Sequence, residues 1–443
     1  MRIQLSDHFG YGKLLRFTLP TIVMMIFTSI YSVVDGFFIS NFVGITPFAA
    51  VNLIIPFTQI LGCVGFMFGA GGSALVSATL GEGDTERANR IFSMLVYITM
   101  ICGVVLSVLG IIFIEPVAIA MKADVELLPY CVSYGRILLI TLPVFMMQNL
   151  FQSFLVTAEK PTLGLMITVG AGLTNIALDA LFIAGFKWGV VGAAAATDIA
   201  QCVGGVIPLV YFARKNSSVL KLGKFTWNGR ALFSACTNGS SELVTNISMS
   251  LVSILYNYQL MKFAGENGVA AYGAVMYVGF VFAAVFLGYS IGVAPVIGFN
   301  YGAQNQDELK GLFRKSNTLI VLANAVLAAL AFALAGTSAR LFAGSDPVVY
   351  DMTVVAFRYY ALSVLFSGIS IFGSAFFTAL NNGVVSAAIS FLRTLLFQIV
   401  CVLLLPVFFE LDGVWYSLVV AEFLSMLVTV AFYIAKRKEY HYC

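Results

Sequence analysis

The sequence predicts an all-α integral membrane protein with twelve transmembrane helices in two pseudo-symmetric six-helix lobes, and three observations carry that reading. Hydrophobic residues make up 60% of the 443 and charged residues only 10%, whereas soluble domains run near 25% charged. Apolar runs of about 20 residues recur twelve times, and stretches such as IFSMLVYITMICGVVLSVLGIIF (91–113) are apolar on every face. That pattern is helical and excludes the alternation of a barrel strand. The second half of the chain also repeats the first at a nearly constant offset.

The first run, 14–41, follows Lys13 and Arg16 and continues without a small-residue cleavage site, so it reads as a span and not as a cleaved signal. Pro20 within it cannot donate to the helix ladder and is the expected hinge. Asp35 in the same run puts a carboxylate where insertion costs roughly 2.5–3.5 kcal/mol. The second run, 48–80, holds the glycine-rich FGAGGSA (68–74), which no strand precedes and which suits close helix packing better than phosphate binding. Runs three and four, 91–114 and 127–156, are followed by 162–184 with Asn175 and Asp179, and by 189–213 with Thr197 and Asp198. The longest polar segment, RKNSSVLKLGKFTWNGR (214–230), is the expected cytoplasmic linker between a first lobe (1–213) and a second (231–443). The second lobe contains 231–262 with Glu242, 268–300, 312–336, 350–379, 384–408 with Arg393, and 413–435 with Glu422.

With both ends on one face, seventeen lysines and arginines fall on that side. Four, Lys122, Lys187, Lys262 and Arg340, fall on the other, which puts both termini in the cytoplasm of a cell that carries the protein in its plasma membrane. Arg136 and Arg358 lie near outer helix ends, where their side chains snorkel to the interface. The offset of the repeat drifts slowly. GEGDTERANRIF (81–92) falls on GAQNQDELKGLF (302–313) after 221 residues, FQSFLVTAEKP (151–161) on GSAFFTALNNG (373–383) after 222, and Gly189-Val190 on Gly413-Val414 after 224. Six spans return the chain to its starting side, so the two lobes run parallel about an axis along the membrane normal. The seven cysteines show no metal-ligand spacing and read as packing residues.

Depth separates the buried acids. Asp35 lies nine residues before Gly44, Asp179 six before Gly185, and Thr197 eight after Gly189, so all three approach mid-membrane from one face. Asn175 precedes Asp179 by four residues and shares its helix face. Two carboxylates, an amide and a hydroxyl at one depth suit a Na⁺ ion or a proton shared between carboxylates. The alternative is that each polar group hydrogen-bonds a neighbouring helix. Asp198 is turned about 100° from Thr197, and Glu242 lies in the cytoplasmic half of its span. Asp198 and Glu422 are equivalent under the repeat, and Arg393 is a candidate partner for Glu422.

Twelve spans in two parallel lobes, Pro20 and Asp35 in the first span, Asn175 and Asp179 in the fifth and Thr197 in the sixth resemble the multidrug and toxic compound extrusion (MATE) family, of the MOP superfamily, and particularly its DinF-like and MepA-like branches. The resemblance implies a non-enzymatic antiporter that exports amphipathic, often cationic drugs or metabolites by alternating access. It also implies H⁺ or Na⁺ coupling at Asp35, Asn175, Asp179 and Thr197. No cofactor is expected beyond the coupling ion, and the expected partners are a small amphipathic substrate and the bilayer, with no nucleic acid and a monomeric chain. A lipid-linked oligosaccharide flippase of the same superfamily is the first alternative, but it would line its cavity with several arginines, and only Arg393 lies deep. A membrane-embedded enzyme is the second. Against it, His8 and His441 are the only histidines and no HExxH motif occurs.

Overall fold

The structure is a computed structural model and describes residues 3–343 and 347–442. No strand occurs among them. Nine apolar helices are long enough to cross a membrane, and a bent pair makes a tenth crossing. Two of the nine fold back on themselves, which brings the count to twelve among the described residues. The crossings are α1 (Tyr11–Phe42), α2 (Ile45–Gly81), α3 (Thr85–Ala120), the bent α4 (Leu128–Ile140 and Leu142–Thr157), α5 (Pro161–Gly185) and α6 (Gly189–Ala213). They continue with α7 (229–264), α8 (266–302), α9 (Gln306–Ala343), α10 (Pro347–Ala379), α11 (383–409) and α12 (411–440).

The fold-backs follow from geometry. A straight helix over Gly229–Gly302 would run to about 110 Å, yet the rings of Tyr256 and Tyr272 stack at 5.2 Å. The chain reverses between them at Gly265, where φ is 62° and ψ −151°, a conformation that glycine adopts without a Cβ clash. Glu410 (φ 48°) makes the corresponding reversal between α11 and α12. Left-handed turn residues recur at the repeat offset: Gly44 with Gly265, Gly83 with Gln304, Glu159 with Asn381, and Lys187 with Glu410. The backbone turns thus repeat even where residue types differ.

In α4 the helix breaks by 57° at Thr141. Pro143 supplies no N–H there and disfavours helical backbone at Leu142. The six other prolines that lie beyond the first turn of a helix (Pro20, Pro56, Pro116, Pro208, Pro295, Pro406) leave their helices continuous.

The two halves meet backbone to backbone near the face that carries the termini. A Cβ added to Gly239 in α7 would lie 1.9 Å from the Met67 carbonyl oxygen in α2, and one on Gly71 2.0 Å from that of Ala235. Farther toward the terminal face, Gly81 meets Phe299 and Gly302 meets Ala78 in the same way, while α1 lies on α8 at Thr18–Gly292 and Ile22–Gly288. The α2 stripe Ala78, Ala74, Gly71 and Met67 continues at helical spacing through Ile60, Gln59 and Asn52, and these three are exposed. The halves are therefore sealed on the terminal face and part toward the far face. Beyond the seal, Ser29 Oγ donates to the Phe280 carbonyl at 3.5 Å.

Residues before α1 strap this seal. Leu5 N donates to Glu159 Oε1 at 3.0 Å, on the first half. Phe9 N donates to Glu308 Oε1 at 2.9 Å, His8 Nδ1 lies 2.6 Å from Glu308 Oε2, and Lys315 Nζ donates to the Phe9 carbonyl, all at the start of α9. Leu5 and Phe9 are buried. Lys13 bonds Asp7 at 2.8 Å and holds its carboxyl below the ordinary carboxylate range. Tyr442, at the other end, packs on Phe313 of α9 with ring centroids 4.7 Å apart, so both termini gather on one face.

Candidate functional site

Helix packing in the first half brings Asp35 to Asp179. A Cβ on Gly172 in α5 would sit 2.4 Å from the Phe27 ring and 3.0 Å from that of Tyr31 in α1, so only glycine lets α1 approach this closely. One turn beyond Tyr31 stands Asp35, and three and seven residues beyond Gly172 stand Asn175 and Asp179, on the same faces. The carboxyls of Asp35 and Asp179 lie close enough for each to feel the other's charge. Asp179 and Asn175 are buried.

Several atoms here are covered by the protein yet lack a protein partner. These are Asp35 Oδ1, both Asp179 oxygens, Asn175 Nδ2 and Thr197 Oγ1. Buried polar atoms are rarely left unsatisfied, and such exceptions ask for a reason. No lysine, arginine or histidine among the described residues pairs with Asp35, Asp179 or Asp198. Directly after Asp179, residues 180–185 widen into i→i+5 turns, a feature that tends to accompany functional sites.

Two groups from α4, which no motif in the sequence marks, flank the site. Tyr134, 2% exposed, lies beside Thr197 and within electrostatic reach of Asp35, Asp179 and Asp198. Thr141, at the break in α4, donates its hydroxyl to Asp198 Oδ1 at 2.6 Å. The only sequence signal for the pair is their seven-residue spacing, which puts both on one helix face. Asp198 is thereby tied to α4, adjacent to the cluster but bonded outside it. Pro20 lies about 22 Å along α1 from Asp35, at the contact with α8, and α1 stays continuous through it.

In the second half, Arg393 Nε donates to both oxygens of Glu422, at 3.1 and 2.9 Å. Tyr256 donates to Gln398 Oε1 at 2.7 Å. By the repeat offsets, Tyr256 and Cys401 stand where the first half has Asp35 and Asp179, and Ala421 where it has Thr197. The counterpart of the acidic cluster is thus uncharged, and its one nearby acid is paired. Arg393→Met is expected to lower stability by roughly 3 kcal/mol, because it strands a largely buried carboxylate, while adding Glu422→Leu restores most of the loss. Thermal melting in detergent micelles checks both.

Glu242 is separate from either group. It continues the α7 stripe Ala235 and Gly239 outward, with Asn246 one turn on, and its carboxylate has no hydrogen bond or ion pair among the described residues. It therefore sits just above the seal, where the halves begin to part.

The MatE family model matches residues 20–181 and 243–404, nearly three quarters of the chain. The chain belongs to the MatE family. The two matches begin 223 residues apart, one in each half, so the MatE pattern itself repeats here. Pro20, Asp35, Asn175 and Asp179 fall within the first match and Arg393 within the second. Among MatE-like sequences, Multidrug export protein MepA of Staphylococcus haemolyticus is 24% identical over 424 residues, covering 94% of this chain and 93% of its own. The MepA protein of Staphylococcus aureus strain NCTC 8325 is also 24% identical, over 95% of this chain and 92% of its own. Among solved structures, a multidrug resistance MATE family transporter of the MOP superfamily in its outward-facing conformation superposes with a TM-score of 0.93 at 22% identity, covering 98% of each chain. That likeness establishes the fold.

Proposed function

We propose that this protein is a cation-coupled antiporter of the plasma membrane that exports amphipathic, often cationic compounds by alternating access, and that it works as a monomer with its termini in the cytoplasm. The observation that carries the proposal is the set of unpartnered oxygens of Asp35 and Asp179, buried together without a countercharge. Two adjacent carboxylates away from water repel each other strongly. A proton shared between them, or a Na⁺ ion that also takes the Asn175 carbonyl and the Thr197 hydroxyl as ligands, removes the repulsion. The names of the MepA relatives support drug export, and the excess of basic residues on the terminal face supports the orientation.

The halves act as two lobes in this mechanism. With the terminal face sealed and the far face open, an external cation reaches the cluster from the outside and neutralises it. The repulsion between Asp35 on α1 and Asp179 on α5 disappears, α1 shifts, and the substrate is released outward. Inward opening then requires the glycine seal to part and the strap from Leu5 to Phe9 to leave Glu159 or Glu308. Coupling requires each ligand to bind the two conformations unequally. Glu242, at the floor of the outer cleft, supplies the negative charge for a cationic substrate.

The test is dye efflux from proteoliposomes under a pH gradient and, separately, a Na⁺ gradient. Efflux driven by one of them supports the reading; efflux indifferent to both removes it. In the same assay, Glu242→Gln is expected to raise KM for a monocationic dye about tenfold, the equivalent of 1.4 kcal/mol, and to leave a neutral amphipathic substrate unaffected.

A further inference from the structure

The first half covers the terminal end of α3 with its own linker. Lys221 N donates to Asn89 Oδ1 at 2.6 Å and Gly223 N to Ser93 Oγ at 2.8 Å, while Asn228 N reaches Met94 Sδ at 3.2 Å. Ser93 and Met94 are fully buried as a result. The counterpart of α3 is α9, 221 residues on, where Lys310 stands in the place of Asn89 and Arg314 in that of Ser93. There the equivalent face is open. Lys310, Arg314, Thr318, Val321 and Leu322 are all exposed. A groove of about 690 Å³ runs along them, walled by Phe313 and Tyr442.

The chemistry of this stripe is graded. Positions 310, 314, 318 and 321–322 share one helix face, and along it two cations give way to a hydroxyl and then to bare aliphatic side chains. From Lys310 to Leu322 the helix rises about 18 Å, enough to pass from the headgroup layer to the middle of a hydrocarbon core about 30 Å thick. Asparagine and serine on α3 are satisfied by the backbone of a polypeptide. A lysine and an arginine one turn apart select an anion instead. Neither has an ion-pair partner among the described residues, whereas nearby Lys315 bonds the Phe9 carbonyl and Lys436 bonds Glu439.

We propose that this groove holds an anionic phospholipid from the leaflet on the terminal face, with its phosphate between Lys310 and Arg314 and an acyl chain along Val321 and Leu322. The lipid braces α9 against the carboxy-terminal tail, as the linker braces α3. A general attraction of basic residues to acidic membranes gives no role to the groove itself, and a charge-matched control separates the two. The experiment is thermal melting of the purified full chain in neutral detergent with added phosphatidylglycerol, phosphatidylcholine or glycerol 3-phosphate. Phosphatidylglycerol is expected to raise Tm by several degrees more than phosphatidylcholine. The added shift should be lost in Lys310→Gln/Arg314→Gln and kept in Lys224→Gln/Arg230→Gln, which removes the same charge from the linker region. All four residues are exposed, so neither variant disturbs the core, and Lys310→Arg should retain the shift. An equal shift in the groove variant, an equal loss in the linker variant, or a full shift with glycerol 3-phosphate alone each overturns the proposal.

Discussion

Asp179→Asn is expected to reduce ion-driven efflux by about 100-fold, the upper end of ordinary allosteric coupling, while the protein melts at the same temperature or higher. The two halves of that expectation have one cause. Neither carboxylate oxygen of Asp179 accepts a hydrogen bond from the protein, so asparagine, nearly identical in shape, breaks no protein contact. What it removes is a buried charge with no partner, which contributes nothing favourable to folding. What it would abolish is the proposed cation site, because a neutral amide neither takes up a proton nor repels Asp35. Asp35→Asn should act in the same direction, and the double variant should be no worse than either single one, since the two residues form one site. Efflux assays in proteoliposomes with imposed gradients, read beside melting curves, decide the matter. Coupled efflux that survives in Asp179→Asn, or a collapse in Tm, would assign the residue to structure.

Much of this was legible in the residue order, and the exceptions have physical causes. Hydropathy located all twelve crossings, because in lipid the length of an apolar run is the constraint. It misjudged where helices stop. The third run reads as 91–114, but α3 spans Thr85–Ala120. Its polar first turn stays helical in water because Asp84 caps it by accepting from Arg87 N at 2.9 Å. The break in α4 was hidden for a different reason. Proline is the only signal there, and six other prolines in helices produce no comparable break. The depths of Asp35, Asp179 and Thr197 could be counted from turns, since each lies a few residues from one. Tyr134 could not be found that way. Whether a tyrosine faces lipid or an acid depends on how α4 rotates against α6, and the sequence of α4 alone carries no record of that rotation.

Gly239→Ala tests the seal that the proposed mechanism must open, and its expected effect is a reversal of which face is open. The added methyl would lie 1.9 Å from the Met67 carbonyl oxygen, against about 3.4 Å for ordinary contact. Both sides of the clash are backbone, so no side chain can rotate away, and α2 and α7 must separate. Overpacking of this kind costs typically 1–3 kcal/mol, and the penalty falls only on the conformation in which the terminal face is sealed. Two conformations that differ by a few kcal/mol would then shift by roughly 30-fold for a cost of 2 kcal/mol, toward the state open on the terminal face. Cys236, half-buried beside the crossing, is a native reporter. Its labelling by a membrane-impermeant thiol reagent applied to that face should rise by a similar factor as efflux falls. Gly71→Ala, which meets Ala235 from the opposite helix, should reproduce both effects. Gly170→Ala, where a Cβ touches nothing within 4 Å, should produce neither. If Cys236 labelling and efflux both stay at wild-type levels in Gly239→Ala, the crossing of α2 and α7 is not part of the gate, and the closure must be made by α1 and α8 alone.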